Sequence, residues 1–118
     1  MKGNYHNGKM ETASRAEIEL LQAKRLRAVA DHVYRSNPIY RKLFDTRGVK
    51  PEDIRSLEDV SKLPTTNKNI LRESYPLGLS CVPRSSIAEM HMSSGSTGTP
   101  VIMPYTNADL AQWAECMA

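Results

Sequence analysis

The stretch MHMSSGSTGTPVIMPYT, residues 90–106, contains a loop that holds more flexible and polar residues than a simple turn requires. Residues 93–100 supply five hydroxyl side chains, two glycines and a proline, and strand-favouring residues lie on both sides. A hairpin connection needs only about two to five residues. Composition alone therefore leaves two interpretations open: a flexible connector, or a loop that binds a ligand.

The segments that flank this loop predict a β-hairpin followed by a helix. IAEMHM, residues 87–92, loosely alternates apolar and polar positions, and VIMPY, residues 101–105, is rich in strand-favouring residues. Thr106 and Asp109 then have the spacing of a capping box, in which each side chain satisfies a free backbone N–H at a helix start. We therefore expect a helix over residues 107–118.

This final helix carries an apolar face and no stop signal. Leu110, Trp113 and Met117 recur at spacings of three and four, as on one side of a helix. Because the helix runs to Ala118 without a C-terminal cap, we expect the 118 residues to be the beginning of a longer protein.

Upstream of the hairpin, the first clear helix signal lies at Ser14. Residues 1–13 show no period and are expected to be extended or irregular. Ser14 and Glu17 form a predicted capping box, and the helix should end near Ser36 because Pro38 disfavours the α conformation in the residue before it. Five apolar residues are expected on its inward face: Ile18, Leu21, Leu26, Val29 and Val33.

Several shorter helical pieces follow this helix. Pro38 opens one over residues 38–45, and Gly48 stops it. Two more begin at Pro51 and after Ser56, and the second is expected to face inward with Leu57, Val60 and Leu63. A last one lies within TTNKNILRESYP, residues 65–76, with Thr65 or Thr66 as its cap.

The predicted fold is therefore α+β. A cluster of short helices over residues 1–85 forms one subdomain, and a hairpin with the loop and a final helix follows over residues 86–118. We interpret the second part as the start of a larger domain.

Composition and charge exclude several classes of protein. A 40% hydrophobic and 25% charged chain matches a globular domain and not a disordered one. The net charge of +3 is dispersed, without the clustered basic residues of a nucleic-acid site, so we expect no nucleic-acid partner. No apolar run approaches the ~20 residues that span a bilayer, and residues 1–14 lack the apolar run of a signal peptide. We expect no membrane association, a cytoplasmic location, and reduced Cys81 and Cys116.

The loop does not match the common phosphate-binding patterns. A Walker A loop needs four residues between its first glycine and Gly-Lys, whereas Gly95 and Gly98 are three apart and Thr99 follows. The dinucleotide pattern GxGxxG is also absent. Glycine-rich backbone can nevertheless turn several N–H groups toward one anion, and hydroxyls add rotatable donors.

The order of residues 91–100, HMSSGSTGTP, resembles the phosphate-binding loop of acyl-adenylate-forming ligases, whose core is Ser/Thr-Ser/Thr-Gly-Ser/Thr-Thr-Gly-x-Pro. The resemblance extends to the phenylacetate–coenzyme A ligases from about Glu11 to the end of the chain. It is carried by ETASRAEIELLQAKRLRAVADHVYRSNPIYRKLFD, GVKPEDIRSLEDVSKLPTTNKNILRESYPLGL and MPYTNADLAQWAECMA.

The resemblance implies an AMP-forming acid–thiol ligase of the α/β adenylate-forming fold. ATP and a small carboxylate would give an acyl-adenylate, coenzyme A would then form the thioester, and Mg²⁺ would neutralise the phosphates. It also implies that the acyl pocket, the metal ligand and a mobile C-terminal domain lie outside these residues, so that the piece is inactive alone and self-associates or dimerises. The implied ATP-phosphate contacts are Ser93, Ser94, Gly95, Ser96, Thr97, Gly98 and Thr99.

Thr99 departs from the family pattern, because many members carry a lysine there. A hydroxyl cannot replace that charge, and Lys68, which matches a lysine common in the phenylacetate branch, is our candidate catalytic residue to supply it. The alternative for Lys68 is an exposed surface lysine. His91, just before the loop, is interpreted as a packing or locally capping residue of the strand.

Two further functions remain open. The chain could be a non-catalytic helical interaction module whose Ser/Gly loop is a tether, or part of an adenylating ligase for another carboxylic acid. Nothing in the 118 residues identifies the acyl group.

Overall fold

The computed structural model describes residues 3–94 and 98–118, which form helices and one two-stranded antiparallel sheet. The α-helices are α1 (Gly8–Glu11), α2 (Arg15–Ser36), α3 (Pro38–Arg47), α4 (Lys68–Glu73) and α5 (Asn107–Met117). Short 3-10 helices lie at Pro51–Asp53, Leu57–Lys62 and Arg84–Ser86, and the strands are β1 (Glu89–Met92) and β2 (Ile102–Tyr105). The predicted α+β class is confirmed.

Helix α2 begins and ends where its sequence signals lie. The Ser14 Oγ accepts the Glu17 N–H at 3.3 Å, and the Glu17 Oε2 accepts the Ser14 N–H at 2.8 Å, so the predicted capping box is present. The helix ends at Ser36, before the extended residue that precedes Pro38. Val29 was predicted to face inward but is 59% exposed, because Ala30 occupies the row that packs against the core.

Asn37 joins three segments through its buried side-chain amide. It is 2% exposed, and its Oδ1 accepts the N–H groups of Ile39 at 2.9 Å and Tyr40 at 3.2 Å, which caps α3. Its Nδ2 donates to the carbonyls of Gly78 at 2.8 Å and Ser80 at 3.0 Å. Both lone pairs of Oδ1 and both N–H groups of Nδ2 thus make hydrogen bonds, as a buried amide requires.

The apolar core lies between α2, α3 and the first two 3-10 helices. Ala30, Phe44 and Ile54 form its buried centre. Gly48 ends α3 in the left-handed conformation with φ of 70°, as predicted. The two predicted helical pieces after Gly48 are 3-10 helices, and the prediction that Val60 faces inward is wrong, since 53% of it is exposed.

Two other expectations about helix starts are wrong. Helix α4 is capped by Asn67, whose Oδ1 accepts the N–H groups of Asn69 and Ile70, and not by Thr65 or Thr66. The segment predicted to be irregular before Ser14 contains the single-turn helix α1, capped by Asn7. In both places an asparagine supplies the cap, a role in which it equals serine and exceeds threonine.

The hairpin lies beside this helical region and buries little of its own surface. Its register pairs Glu89 with Tyr105 and Met92 with Ile102, and Val101, just before β2, is 7% exposed. The Cα radius of gyration of the chain is 17.0 Å, whereas a compact domain of this length would have roughly 13.5 Å. The described helices include none that is both long and apolar enough to cross a membrane.

Candidate functional site

The predicted phosphate loop is closed at its base by Ser93 and Val101, which we call the neck of the loop. The Ser93 N–H donates to the Val101 carbonyl at 3.0 Å, and the Val101 N–H donates to the Ser93 Oγ at 2.9 Å. Ser93, the residue that connects β1 to the loop, thus binds both the N–H and the carbonyl of Val101, which is nearly buried. The structure therefore fixes both ends of the loop to each other.

Four of the seven predicted phosphate-contact residues lie in the described part of the loop. Ser93, Ser94, Gly98 and Thr99 are all exposed, and the other three, Gly95, Ser96 and Thr97, lie outside the described residues. Gly98 has φ of 129°, a conformation that side-chain-bearing residues rarely adopt, and open space surrounds the position where a Cβ would be. Gly98 is thus required for backbone conformation and not for steric room.

An aromatic cluster lies directly before the neck. The His91 ring lies 4.8 Å from the Tyr105 ring and 5.7 Å from the Trp113 ring, and Tyr105 stacks on Trp113 at 5.6 Å with an interplanar angle of 28°. The His91 Nε2 also lies 3.1 Å from the Glu89 Oε2. His91 therefore packs locally, as its sequence position predicted, and the cluster joins β1, β2 and α5.

Lys68 is the first residue of α4 and is exposed to solvent. Within residues 3–94 and 98–118, no hydrogen bond or ion pair joins it to Ser93, Ser94, Gly98 or Thr99. The described contacts therefore do not bring the candidate cation and the loop together, and its catalytic role stays a prediction.

A cavity of about 560 Å³ lies between the helical region and β2. Leu71 of α4 and Ser74, which follows that helix, line one side, and Ile102 and Tyr105 of β2 line another, so the C-terminal end of α4 lies beside the strand that follows the loop. Tyr40 and Cys81 also line it. Burial, with a smaller contribution from Cys81, raises the pKa of Tyr40, and burial raises the pKa of Cys81. Both groups are neutral near pH 7, so the Cys81 thiol is a poor nucleophile there.

Sequence reasoning missed one long-range link, between the N-terminal segment and α5. Near the N-terminus, the Asn7 Nδ2 donates to the Glu115 Oε1 at 2.7 Å, and the His6 Nε2 lies 3.1 Å from the Glu115 Oε2. The Asn7 amide first, and then the His6 ring, lowers the pKa of Glu115. No local signal could reveal a pair separated by more than 100 residues.

The chain is similar to curated enzymes over most of its length. No protein-family model matches it. The phenylacetate-coenzyme A ligase of Aromatoleum evansii is 45% identical over 109 residues, which cover 92% of this chain and 25% of that enzyme. The enzyme of the same name from Escherichia coli (strain K12) is 42% identical with the same coverage.

The resemblance to phenylacetate–coenzyme A ligases is confirmed. The chain spans about a quarter of the length of the curated ligases that it matches. Identity of 42–45% over 109 residues far exceeds what a shared fold alone would produce.

Solved structures of a related ligase share the arrangement of these elements. A 2-hydroxyisobutyryl-CoA ligase in complex with 2-HIB-AMP and CoA, in its thioesterification state, matches with a TM-score of 0.82 and 32% identity. The match covers 92% of this chain and 24% of that ligase. The same ligase in its postadenylation state with 2-HIB-AMP matches with a TM-score of 0.80 and 31% identity over 92% of this chain and 23% of that one.

Proposed function

We propose that the chain is the N-terminal part of an ATP-dependent aryl-acid ligase, of the phenylacetate type, that forms a coenzyme A thioester through an acyl-adenylate. The observation that carries this proposal is the 42–45% identity to phenylacetate-coenzyme A ligases over 92% of the chain. The adenylate and CoA complexes of the 2-hydroxyisobutyryl-CoA ligase support the two-step chemistry. In the first step the carboxylate displaces pyrophosphate from ATP, and in the second the CoA thiol displaces AMP.

In this proposal the loop holds the β- and γ-phosphates of ATP. The hydroxyls of Ser94 and Thr99 are exposed donors, and Gly98 gives the backbone a turn that can present N–H groups to an anion. Residues 3–94 and 98–118 contain no group of three or more His, Cys, Asp or Glu side chains that could hold a metal, and the resemblance implies that the protein ligand of Mg²⁺ lies outside the 118 residues. Mg²⁺ would neutralise phosphate charge during adenylation.

Lys68 would supply the cation that Thr99 lacks. It is exposed at the start of α4, and Leu71 of this helix lines a cavity together with residues of β2, which follows the loop. In the full-length protein, Lys68→Met should raise the KM for ATP, while Lys24→Met, which removes an exposed charge from α2, should not. Adenylation kinetics that are unchanged in Lys68→Met would overturn this role and leave the ligase proposal intact.

The division of the chain and its behaviour in isolation are part of the same proposal. Residues 1–85 would form the N-terminal helical subdomain, and residues 86–118 would begin the large nucleotide-binding domain. Because the chain spans about a quarter of its relatives, we infer that it is inactive alone and self-associates through exposed apolar side chains such as Met92 and Met117. Sedimentation of the 118-residue chain as a monomer would contradict the self-association.

The test of the whole proposal is carboxylate-dependent release of pyrophosphate by the full-length protein over a panel of aryl and alkyl acids. Phenylacetate should give the highest rate, and AMP and the CoA thioester should form in equal amounts. A preference for another acid would favour the related adenylating ligase. If Gly98→Val in the full-length protein left ATP binding unchanged and no acid released pyrophosphate, the interaction module would be the better account.

A further inference from the structure

The Ser93 hydroxyl takes the place of a backbone carbonyl in the hairpin ladder. His91 faces Met103 and Met92 faces Ile102, so the next facing pair is Ser93 and Val101. Facing residues in an antiparallel ladder alternate between pairs that exchange two N–H···O=C bonds and pairs that exchange none, and the bond from the Ser93 N–H to the Val101 carbonyl places this pair in the first kind. Here the Ser93 N–H donates to the Val101 carbonyl, but the Val101 N–H donates to the Ser93 Oγ at 2.9 Å. The ladder therefore changes from backbone to side-chain bonding at the residue where the loop begins.

The other partner in this exchange is nearly buried. Val101 is 7% exposed, whereas Ser93, which faces it, is exposed and the other described loop residues are exposed or half-buried. A buried N–H without an acceptor is costly, so the Ser93 hydroxyl satisfies a group that water reaches poorly. A hydroxyl that accepts this bond retains a single proton to donate.

We propose that Ser93 is a positioning residue, which closes the neck of the loop, and that the phosphate contacts are made by the residues after it. This inference rests on the proposed ATP-dependent function. A closed neck fixes the distance between the ends of the loop before ATP arrives, so less conformational freedom is lost on binding. Ser93 and Ser94, neighbours with the same side chain, thus have different roles.

The test compares Ser93→Ala, Ser93→Thr and Ser94→Ala in the full-length protein. Two quantities are measured: hydrogen exchange of the Val101 amide without ATP, and the KM for ATP beside kcat. We expect Ser93→Ala to accelerate Val101 exchange about tenfold and to raise the KM for ATP about tenfold, the size expected for one lost hydrogen bond. Ser93→Thr, which keeps the hydroxyl, should restore both.

Ser94→Ala should leave Val101 exchange unchanged, since its hydroxyl is not part of the neck. If Ser93→Ala raised the KM but left Val101 exchange unchanged, Ser93 would be a direct phosphate contact and the inference would be wrong. Faster exchange of the Val101 amide with an unchanged KM for ATP would show that the neck does not affect ATP binding, and this result would also overturn the inference. If the unaltered protein bound no ATP in calorimetry, the proposed function would fail, and the positioning role would fail with it.

Discussion

The helical region and the hairpin region of this chain differ in how completely they bury their apolar residues. In the helical region, α2, α3 and the 3-10 helix Pro51–Asp53 enclose Ala30, Phe44 and Ile54. In the hairpin region, residues 86–118, Val101 is the sole buried apolar residue among those described, while five large side chains are exposed: Met90, Met92, Met103, Trp113 and Met117. An isolated two-stranded hairpin is marginally stable. The comparison shows that the helical region forms a core from its own residues, whereas the hairpin depends for its stability on packing against other parts of the protein.

The largest effect is expected where the helical core is emptied. Phe44 is 3% exposed and makes an edge-on contact with Tyr34 at 5.6 Å between ring centroids. Phe44→Ala should lower the free energy of unfolding by about 3–5 kcal/mol, as for other buried phenylalanines. Urea unfolding followed by far-UV circular dichroism measures it, with Leu20→Ala, at an exposed site on α2, as control. A loss below about 1 kcal/mol would show that the helical region has no effective core.

A smaller and more local effect is expected in the hairpin. Val101→Ala removes two methyl groups from a nearly buried side chain. At about 0.8 kcal/mol for each group, it should lower the free energy of unfolding by about 1.5 kcal/mol. Hydrogen exchange should become faster in β1 and β2 and stay unchanged in α2 and α3. Equal acceleration of exchange in both regions would mean that the helical region and the hairpin region unfold as one unit, so that the hairpin would not be the less stable part.

The smallest effect is expected at the link between the N-terminal segment and α5. Hydrogen bonds from Asn7 and His6 lower the pKa of Glu115, so this link stabilises the fold above the unfolded-state pKa of that carboxyl and is lost as the pH falls through its lower folded-state pKa. Asn7→Ala should raise the pKa of Glu115, and His6→Ala should raise it less. A carbon-detected NMR titration of the Glu115 carboxyl measures both, and the reverse order would contradict the assignment.

Local signals in the sequence predicted much of the fold. The capping boxes at Ser14 and Thr106 and the stop at Gly48 involve residues within four positions of each other, and all three are present in the structure. Two of the wrong predictions, for Val29 and Val60, needed more distant information. Val29 and Val60 have apolar side chains at helical spacing, but the position of the neighbouring elements leaves them exposed.

The sequence predicts where the candidate site lies and does not predict its hydrogen bonds. The order of hydroxyls and glycines in residues 93–100 identified the loop and the class of ligase it resembles. The different roles inferred for Ser93 and Ser94 depend on the hairpin register, which places the Ser93 hydroxyl beside the Val101 N–H. Periodicity does not report that register, because it is set by pairing between two strands.

The buried amide of Asn37 has a consequence for the order in which this chain loses its structure. Asn37 ends α2, caps α3 and donates to carbonyls 41 and 43 residues away. The four hydrogen bonds of its side chain therefore connect the corner between these helices to the Gly78–Ser80 backbone. Freeing that backbone would leave a buried NH₂ group without acceptors. Residues 78–80 should therefore open together with α2 and α3 in one cooperative step, although they lie closer along the chain to the hairpin.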